Sequence, residues 1–200
     1  MADNTIPYKE AFAILHPEAI TIFERQKQER LENGDYLGYL GLFGHDERLD
    51  GFRRIHAELA DADYWRYLGM TYTSADNFSP DREEWRVFLT STRGEREMIM
   101  NGHERRSLAA LPDKFRIYRG SRGPLEHQLG FSWTLDKKVA IFFVTYSGSE
   151  RKEKYPNAEP SLLVGEVAKK NIIAVINERK EREILVDPRR VYEIESLTFT

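Results

Sequence analysis

Lys114-Phe115-Arg116-Ile117-Tyr118 alternates polar and apolar side chains and follows a proline turn at 111–113. A repeat of two is typical of a strand with one buried face. Upstream, apolar residues recur at helical spacing and predict helices at 17–33, 61–69, from 80 onward and at 93–110. Downstream, the pattern predicts strands at 162–168, 172–176, 184–186 and 191–199, and a helix at 135–146.

Helices followed by short strands predict an α+β fold. We expect a mainly helical N-terminal region over residues 1–110, packed on a mixed, mostly antiparallel β core over residues 111–200. With 200 residues and 40% hydrophobic content, the chain is long enough to bury one substantial core.

The composition excludes several classes of function. There is no cysteine, so thiol nucleophiles, disulfides and cysteine metal sites are ruled out, and five scattered histidines do not predict a metal site. Thirty basic against 33 acidic residues leave a net charge of −3, which makes general affinity for nucleic acid or anionic membranes unexpected. The longest apolar run has six residues and the first residues lack a signal-peptide pattern, so we expect a cytoplasmic protein.

Three short stretches carry the candidate chemistry: 117–120, 130–134 and 181–186. In the first, Arg119 ends a predicted strand, where a guanidinium can bind phosphate or a ribose hydroxyl, and Gly120 permits a close approach to the backbone. In the second, strand alternation places the Ser132 and Thr134 hydroxyls on one face. Thr134 is also a candidate helix N-cap.

The third stretch is Glu181-Arg182-Glu183, directly before an apolar strand. An extended backbone there would place both carboxylates on one face. The same spacing recurs at 95–97 and 193–195, but only at 181–183 does it follow a polar loop and open a strand. Context therefore selects this pair.

In this order, the three stretches resemble the NAD-binding core of ADP-ribosyltransferases of the arginine–serine–glutamate class, which includes bacterial toxins and phage enzymes. The resemblance covers about residues 114–199 and implies an ADP-ribosyltransferase-type core. It implies that Arg119 and Gly120 bind NAD, that Ser132 and Thr134 take the serine-x-serine positions, and that Glu183 is the catalytic carboxylate. Glu181 would then act on the acceptor.

The resemblance also suggests residues outside these stretches. The segment 146–160 takes the position of the loop that covers NAD, with Tyr146, Arg151 and Tyr155 as candidate contacts. Phe143 is a candidate for the nicotinamide pocket, although core packing is the simpler interpretation of both Phe142 and Phe143. The loop at 177–180 would approach the target and lacks the aromatic residue often found there.

The implied function is NAD-dependent mono-ADP-ribosyl transfer to a protein, through arginine, with NAD as a substrate and no metal. Such proteins act in the cytoplasm, or in a host's cytoplasm when they are phage-encoded or delivered effectors. Two alternatives stay open. One is an NAD glycohydrolase or a nucleic-acid ADP-ribosyltransferase on the same fold, and the other is a non-enzymatic interaction module.

Overall fold

The computed structural model describes residues 15–75, 81–122, 129–146, 159–177 and 181–198. Within these ranges the chain forms seven α-helices and one six-stranded sheet, which confirms the α+β class. The helices are α1 Pro17–Glu32, α2 Tyr36–Gly41, α3 Arg48–Ile55, α4 Asp61–Ser74, α5 Arg82–Leu89, α6 Gly102–Ala109 and α7 Lys137–Tyr146. The strands are β1 Lys114–Arg122, β2 Ser132–Thr134, β3 Pro160–Ala168, β4 Ile172–Ile176, β5 Glu183–Val186 and β6 Tyr192–Thr198.

The sheet has the strand order β4-β5-β2-β1-β3-β6, and every neighbouring pair is antiparallel. The strands predicted from apolar runs are therefore confirmed, and the β4 bounds agree with the prediction at both ends. The short β2 lies between β1 and β5, so it joins two strands that are about sixty residues apart in the sequence.

The chain divides into two compact units, one of Met1–Ala60 with Tyr67–Pro80 and the other of Asp61–Arg66 with Asp81–Thr200. The sheet belongs entirely to the second unit. From the sequence we expected a boundary between residues 110 and 111. In the structure, α5 and α6, which precede that boundary, belong to the unit that holds the sheet.

The first unit has a largely aromatic and leucine core. Its buried apolar residues are Tyr39, Leu40, Phe43, Leu49, Phe52, Ile55, Leu59, Leu68 and Tyr72. A Cβ on Gly51 would lie 2.9 Å from the Phe43 ring, so α3 packs tightly against that side chain. Helix α1 buries none of its residues, and its apolar side chains Ile20 and Phe23 are exposed.

In the second unit, helix α7 packs on β1, β2 and β3. Ala140 and Val144 of the helix form a buried cluster with Leu162 of β3. Strand alternation places the most deeply buried side chains on the opposite face of the sheet. These include Ile117, Trp133, Leu163, Val167, Ile184 and Val186, each at most 2% exposed. The register of the sheet is thus defined by apolar burial on both faces.

The single helix expected over 93–110 is wrong. A 3₁₀ turn at Arg96–Ile99 is followed by an extended residue, Met100, and α6 then begins at Gly102. Asn101 caps this helix: its side chain accepts from the backbone N–H groups of His103 and Glu104, while Glu104 accepts from the N–H of Asn101. This reciprocal capping box favours a new helix start over continuation of the preceding turn.

Candidate functional site

One row of paired residues crosses three neighbouring strands. Tyr118 of β1 lies opposite Thr134 of β2, which lies opposite Glu183 of β5. Directly opposed residues point to the same face, so these three side chains share the face on which α7 packs. Ser132 is two residues before Thr134 and joins this face, diagonal to Glu183 at about 7–8 Å. The sheet therefore places three of the predicted residues, Ser132, Thr134 and Glu183, on one surface.

Arg119 starts from the opposite face, because it follows Tyr118 in the strand and pairs with the buried Leu163. Its half-buried side chain reaches the beginning of β2, where Nη1 donates to the backbone carbonyl of Ser132. A Cβ on Gly130 would lie 2.7 Å from Nη2 of the same guanidinium. Arg119 is thus held against the backbone of 130–132, with its Cβ on the other side of the sheet from Glu183.

Glu181 and Glu183 are not related by strand alternation, which corrects the expectation of an extended backbone. Strand β5 begins only at Glu183, and the intervening Arg182 has φ 48°, in the left-handed region. The turn is bonded to β2 and the residue after it: Thr134 Oγ1 donates to the Glu181 carbonyl at 2.6 Å, and Leu135 N–H donates to the Arg182 carbonyl at 3.1 Å. Tertiary hydrogen bonds therefore set the relative positions of the two carboxylates.

Arg182→Gly is expected to stabilise the fold by up to about 1 kcal/mol, because glycine adopts positive φ without the steric cost paid by other residues. Urea unfolding of the purified variant measures this change. Glu193→Gly is the matched control, since Glu193 has φ 51° in the last strand. If Arg182→Gly is less stable than wild type while Glu193→Gly is more stable, the arginine side chain itself holds the turn.

Thr134 joins strand β2 to the glutamate turn. Its hydroxyl donates to the Glu181 carbonyl and accepts from the N–H of Asp136 at 3.0 Å, and the residue is 6% exposed. The expectation that Thr134 is the helix N-cap is wrong, because α7 begins at Lys137 and the Asp136 carboxylate accepts from Lys138 N–H. Contact of Thr134 with NAD stays a prediction.

Gly120 is required by the packing of α7. A Cβ there would lie 2.1 Å from the carbonyl oxygen of Ala140 and 2.7 Å from the backbone nitrogen of Val144. The close approach predicted at this glycine is therefore made by the helix backbone. Because these atoms are main-chain, no side-chain rotation relieves the contact.

The two phenylalanines of α7 are exposed, which corrects the core-packing interpretation. Phe142 is 53% and Phe143 is 39% exposed. Their rings meet edge to face with centroids 5.6 Å apart. The other predicted contacts of the covering loop, Arg151, Tyr155 and the side chain of Tyr146, lie outside the described residues.

Arg86 of α5 contacts the residue directly before β2 and the residue directly after β5. Its Nε lies 3.6 Å from the carboxylate of Asp187, directly after β5, and its guanidinium lies 5.8 Å from the ring centroid of Phe131, directly before β2. Its Nη1 also pairs with Glu83, and this hydrogen bond holds the pKa of the Glu83 carboxyl below its usual value.

Glu104 is the residue near the site that sequence reasoning missed. The Glu104 carboxylate accepts from the backbone N–H of Asn177 at 2.9 Å, where the glutamate-bearing loop begins. The pattern Asn101-x-x-Glu104 is a capping-box signature and would have located the helix start. It does not predict the link to Asn177, because the two residues are 73 positions apart.

Across the described ranges, no group of three or more His, Asp or Glu side chains is arranged to hold a metal ion. The same part of the chain contains no helix long and apolar enough to cross a membrane.

Comparison with known proteins adds no identification. No protein-family model, curated protein or solved structure matches this chain.

Proposed function

We propose that this protein is an NAD-dependent mono-ADP-ribosyltransferase that modifies a protein through arginine and releases nicotinamide. The observation that carries the proposal is the assembly of three separate sequence stretches on adjacent strands. Arg119, Ser132 and Glu183 come from β1, β2 and β5, which are neighbours at the centre of the sheet. Such an assembly supports a shared role for residues that the sequence keeps far apart.

The placement of Glu183 supports a role as a transition-state carboxylate. It opens β5, is half-buried, and its backbone is held between Thr134 and Ile176. Cleavage of the bond between nicotinamide and ribose builds positive charge on the ribose. A carboxylate fixed beside that charge stabilises the transition state more than the ground state.

Glu181 is suited to the acceptor side of the reaction. It lies outside the strand in a turn and is partly exposed, so a side chain from another protein has access to it. A guanidinium has a very high pKa, and an adjacent carboxylate assists removal of its proton. The ribose C1′–nicotinamide bond breaks, a bond from C1′ to a guanidino nitrogen forms, and neutral nicotinamide and one proton are released.

The proposal is tested with NAD labelled in its adenylate phosphate and added to a bacterial lysate. Wild-type protein is expected to release nicotinamide and to label protein, with the adduct assigned to arginine by peptide mass spectrometry. Glu181→Gln is expected to retain nicotinamide release and to lose the protein label, because only the acceptor side is altered. Glu193→Gln, the equivalent change in the Glu193-Ile194-Glu195 repeat of the motif, is the matched control.

Other results select a different function. Nicotinamide release with free ADP-ribose as the only labelled product identifies an NAD glycohydrolase. A label removed by nuclease identifies nucleic acid as the acceptor. Folded wild-type protein that neither binds NAD nor releases nicotinamide overturns the proposal in favour of a non-enzymatic interaction module.

A further inference from the structure

Glu104 is a buried carboxylate with two separate backbone partners. It is 5% exposed, and its two oxygens accept from different N–H groups: Oε2 from Asn101 and Oε1 from Asn177, each at 2.9 Å. Burying a carboxylate is costly unless its oxygens are hydrogen-bonded. A capping box needs only the bond to Asn101, so the second bond has a purpose beyond helix capping.

The second partner begins the loop that carries Glu181. Strands β4 and β5 form a hairpin in which Ile176 lies opposite Glu183, so the connecting loop consists of residues 177–182. Glu104 holds the first residue of this loop through its N–H. The last two residues are held from the other side, by Thr134 on the Glu181 carbonyl and by the N–H of Leu135 on the Arg182 carbonyl.

The outer edge of β4 is also covered by the segment that precedes α6. Among the strands that the structure describes, β4 is at the edge of the sheet and pairs with β5 alone. The N–H of Val175 donates to the sulfur of Met100 at 3.2 Å, and the N–H of Asn177, two residues later, donates to Glu104. Met100 and Glu104 therefore provide acceptors for two alternate N–H groups along β4 and just beyond it. Glu104 is the charged acceptor, and its partner Asn177 directly follows the strand.

We infer that Glu104 is a positioning residue: it fixes Asn177, where the connection to Glu181 begins, and so helps to hold Glu181 in place for the acceptor. This inference rests on the proposed function. Loss of Glu104 removes the acceptor of the Asn177 N–H, while Glu183 keeps its pairing with Thr134 and Ile176. Transfer to an acceptor therefore depends on Glu104, and cleavage of the nicotinamide–ribose bond does not.

Two alanine variants separate positioning from helix capping. Glu104→Ala removes the acceptors of the Asn101 and Asn177 N–H groups. Asn101→Ala removes the acceptors of the His103 and Glu104 N–H groups and leaves both bonds of the Glu104 carboxylate in place. Each variant loses two hydrogen bonds, but their places differ. In Asn101→Ala both lie at the start of the helix, whereas Glu104→Ala loses one there and one to Asn177. Glu104→Gln, which keeps the size and one acceptor oxygen, serves if the alanine variant does not fold.

The assay uses NAD with agmatine as a soluble guanidino acceptor, and follows nicotinamide, ADP-ribosyl-agmatine and free ADP-ribose together. For Glu104→Ala we expect the yield of ADP-ribosyl-agmatine per nicotinamide released to fall roughly ten- to a hundredfold, the usual range for loss of a group that orients a functional residue. The KM for agmatine is expected to rise, with nicotinamide release within about twofold of wild type. Asn101→Ala is expected to keep the wild-type product ratio. Equal product ratios in the two variants would overturn the inference and leave the proposed function standing.

Amide hydrogen exchange tests the positioning without any activity. Faster exchange is expected at Asn177, Glu181 and Arg182 in Glu104→Ala, and to a smaller extent in Glu104→Gln, which keeps one acceptor oxygen, but not in Asn101→Ala. Unchanged exchange in this loop overturns the inference even if the enzyme is active. If wild-type protein neither releases nicotinamide nor modifies agmatine, the proposed function fails and the role in acceptor transfer fails with it, whereas the exchange result still reports whether Glu104 holds the loop.

Discussion

Glu183→Gln is expected to lower the rate of nicotinamide release by about 10²–10³-fold, the usual loss when one preorganised electrostatic group is removed from an active site. Glutamine keeps the shape of the side chain and the β5 backbone pairing but has no negative charge. It therefore cannot stabilise a ribose that becomes positive as nicotinamide departs. The measurement is the initial rate of nicotinamide release at saturating NAD, with transfer to protein followed in parallel.

Glu195→Gln is the matched control for this variant. Glu195 pairs with Val164, which pairs with Tyr118, so it belongs to the same row of residues as Glu183 but lies on the edge strand β6. Its replacement is expected to leave nicotinamide release unchanged. An equal loss in both variants, or full activity in Glu183→Gln with an unchanged melting temperature, would contradict the assignment of Glu183.

Gly120→Ala is expected to destabilise the protein by about 1–3 kcal/mol or more, the range for forcing an extra group into a close-packed interior. The added Cβ would lie 2.1 Å from the Ala140 carbonyl oxygen, so α7 has to move away from β1. That movement would also open the buried contacts of Ala140 and Val144 with Leu162. Urea or thermal unfolding of purified protein measures the loss.

Gly41→Ala provides the comparison. Gly41 is the last residue of α2, and a Cβ built on it meets no atom within 4 Å. Alanine has a higher helix propensity than glycine, so this variant is expected to be neutral or stabilised by up to about 1 kcal/mol. If the free energy of unfolding of Gly120→Ala equals that of wild type, β1 and α7 are not in the close contact described for Gly120 and Ala140.

Local sequence patterns predicted most of the second unit's elements. Strands β3, β4 and β6 were found because their apolar side chains follow the two-residue repeat or form short buried runs, and both signals are local. The helix at 93–110 was predicted wrongly, because the capping box at Asn101 and Glu104 interrupts an otherwise helical pattern. Phe142 and Phe143 were assigned to the core because helical spacing does not reveal whether another element covers that side of α7.

The candidate site was predicted as a set of residues but not as an arrangement. Strand alternation correctly placed Ser132 and Thr134 together, because that relation is contained within one strand. The relation between Glu181 and Glu183 was predicted wrongly, since the left-handed backbone at Arg182 is held by hydrogen bonds from Thr134 and Leu135. The same limit applies to Glu104, whose partner Asn177 is distant in the chain.

The sequence by itself determined the α+β class, most of the strands, and which residues carry the guanidinium, hydroxyl and carboxylate groups of the candidate site. These properties follow from side-chain periodicity and residue type, which act over a few neighbouring positions. Only the tertiary structure decided that β2 lies between β1 and β5, that Glu183 shares a face with Ser132 while Arg119 starts from the other, and that Glu104 accepts from the N–H of Asn177. Strand order and register depend on burial and hydrogen bonds between residues far apart in the chain, and no local pattern contains that information.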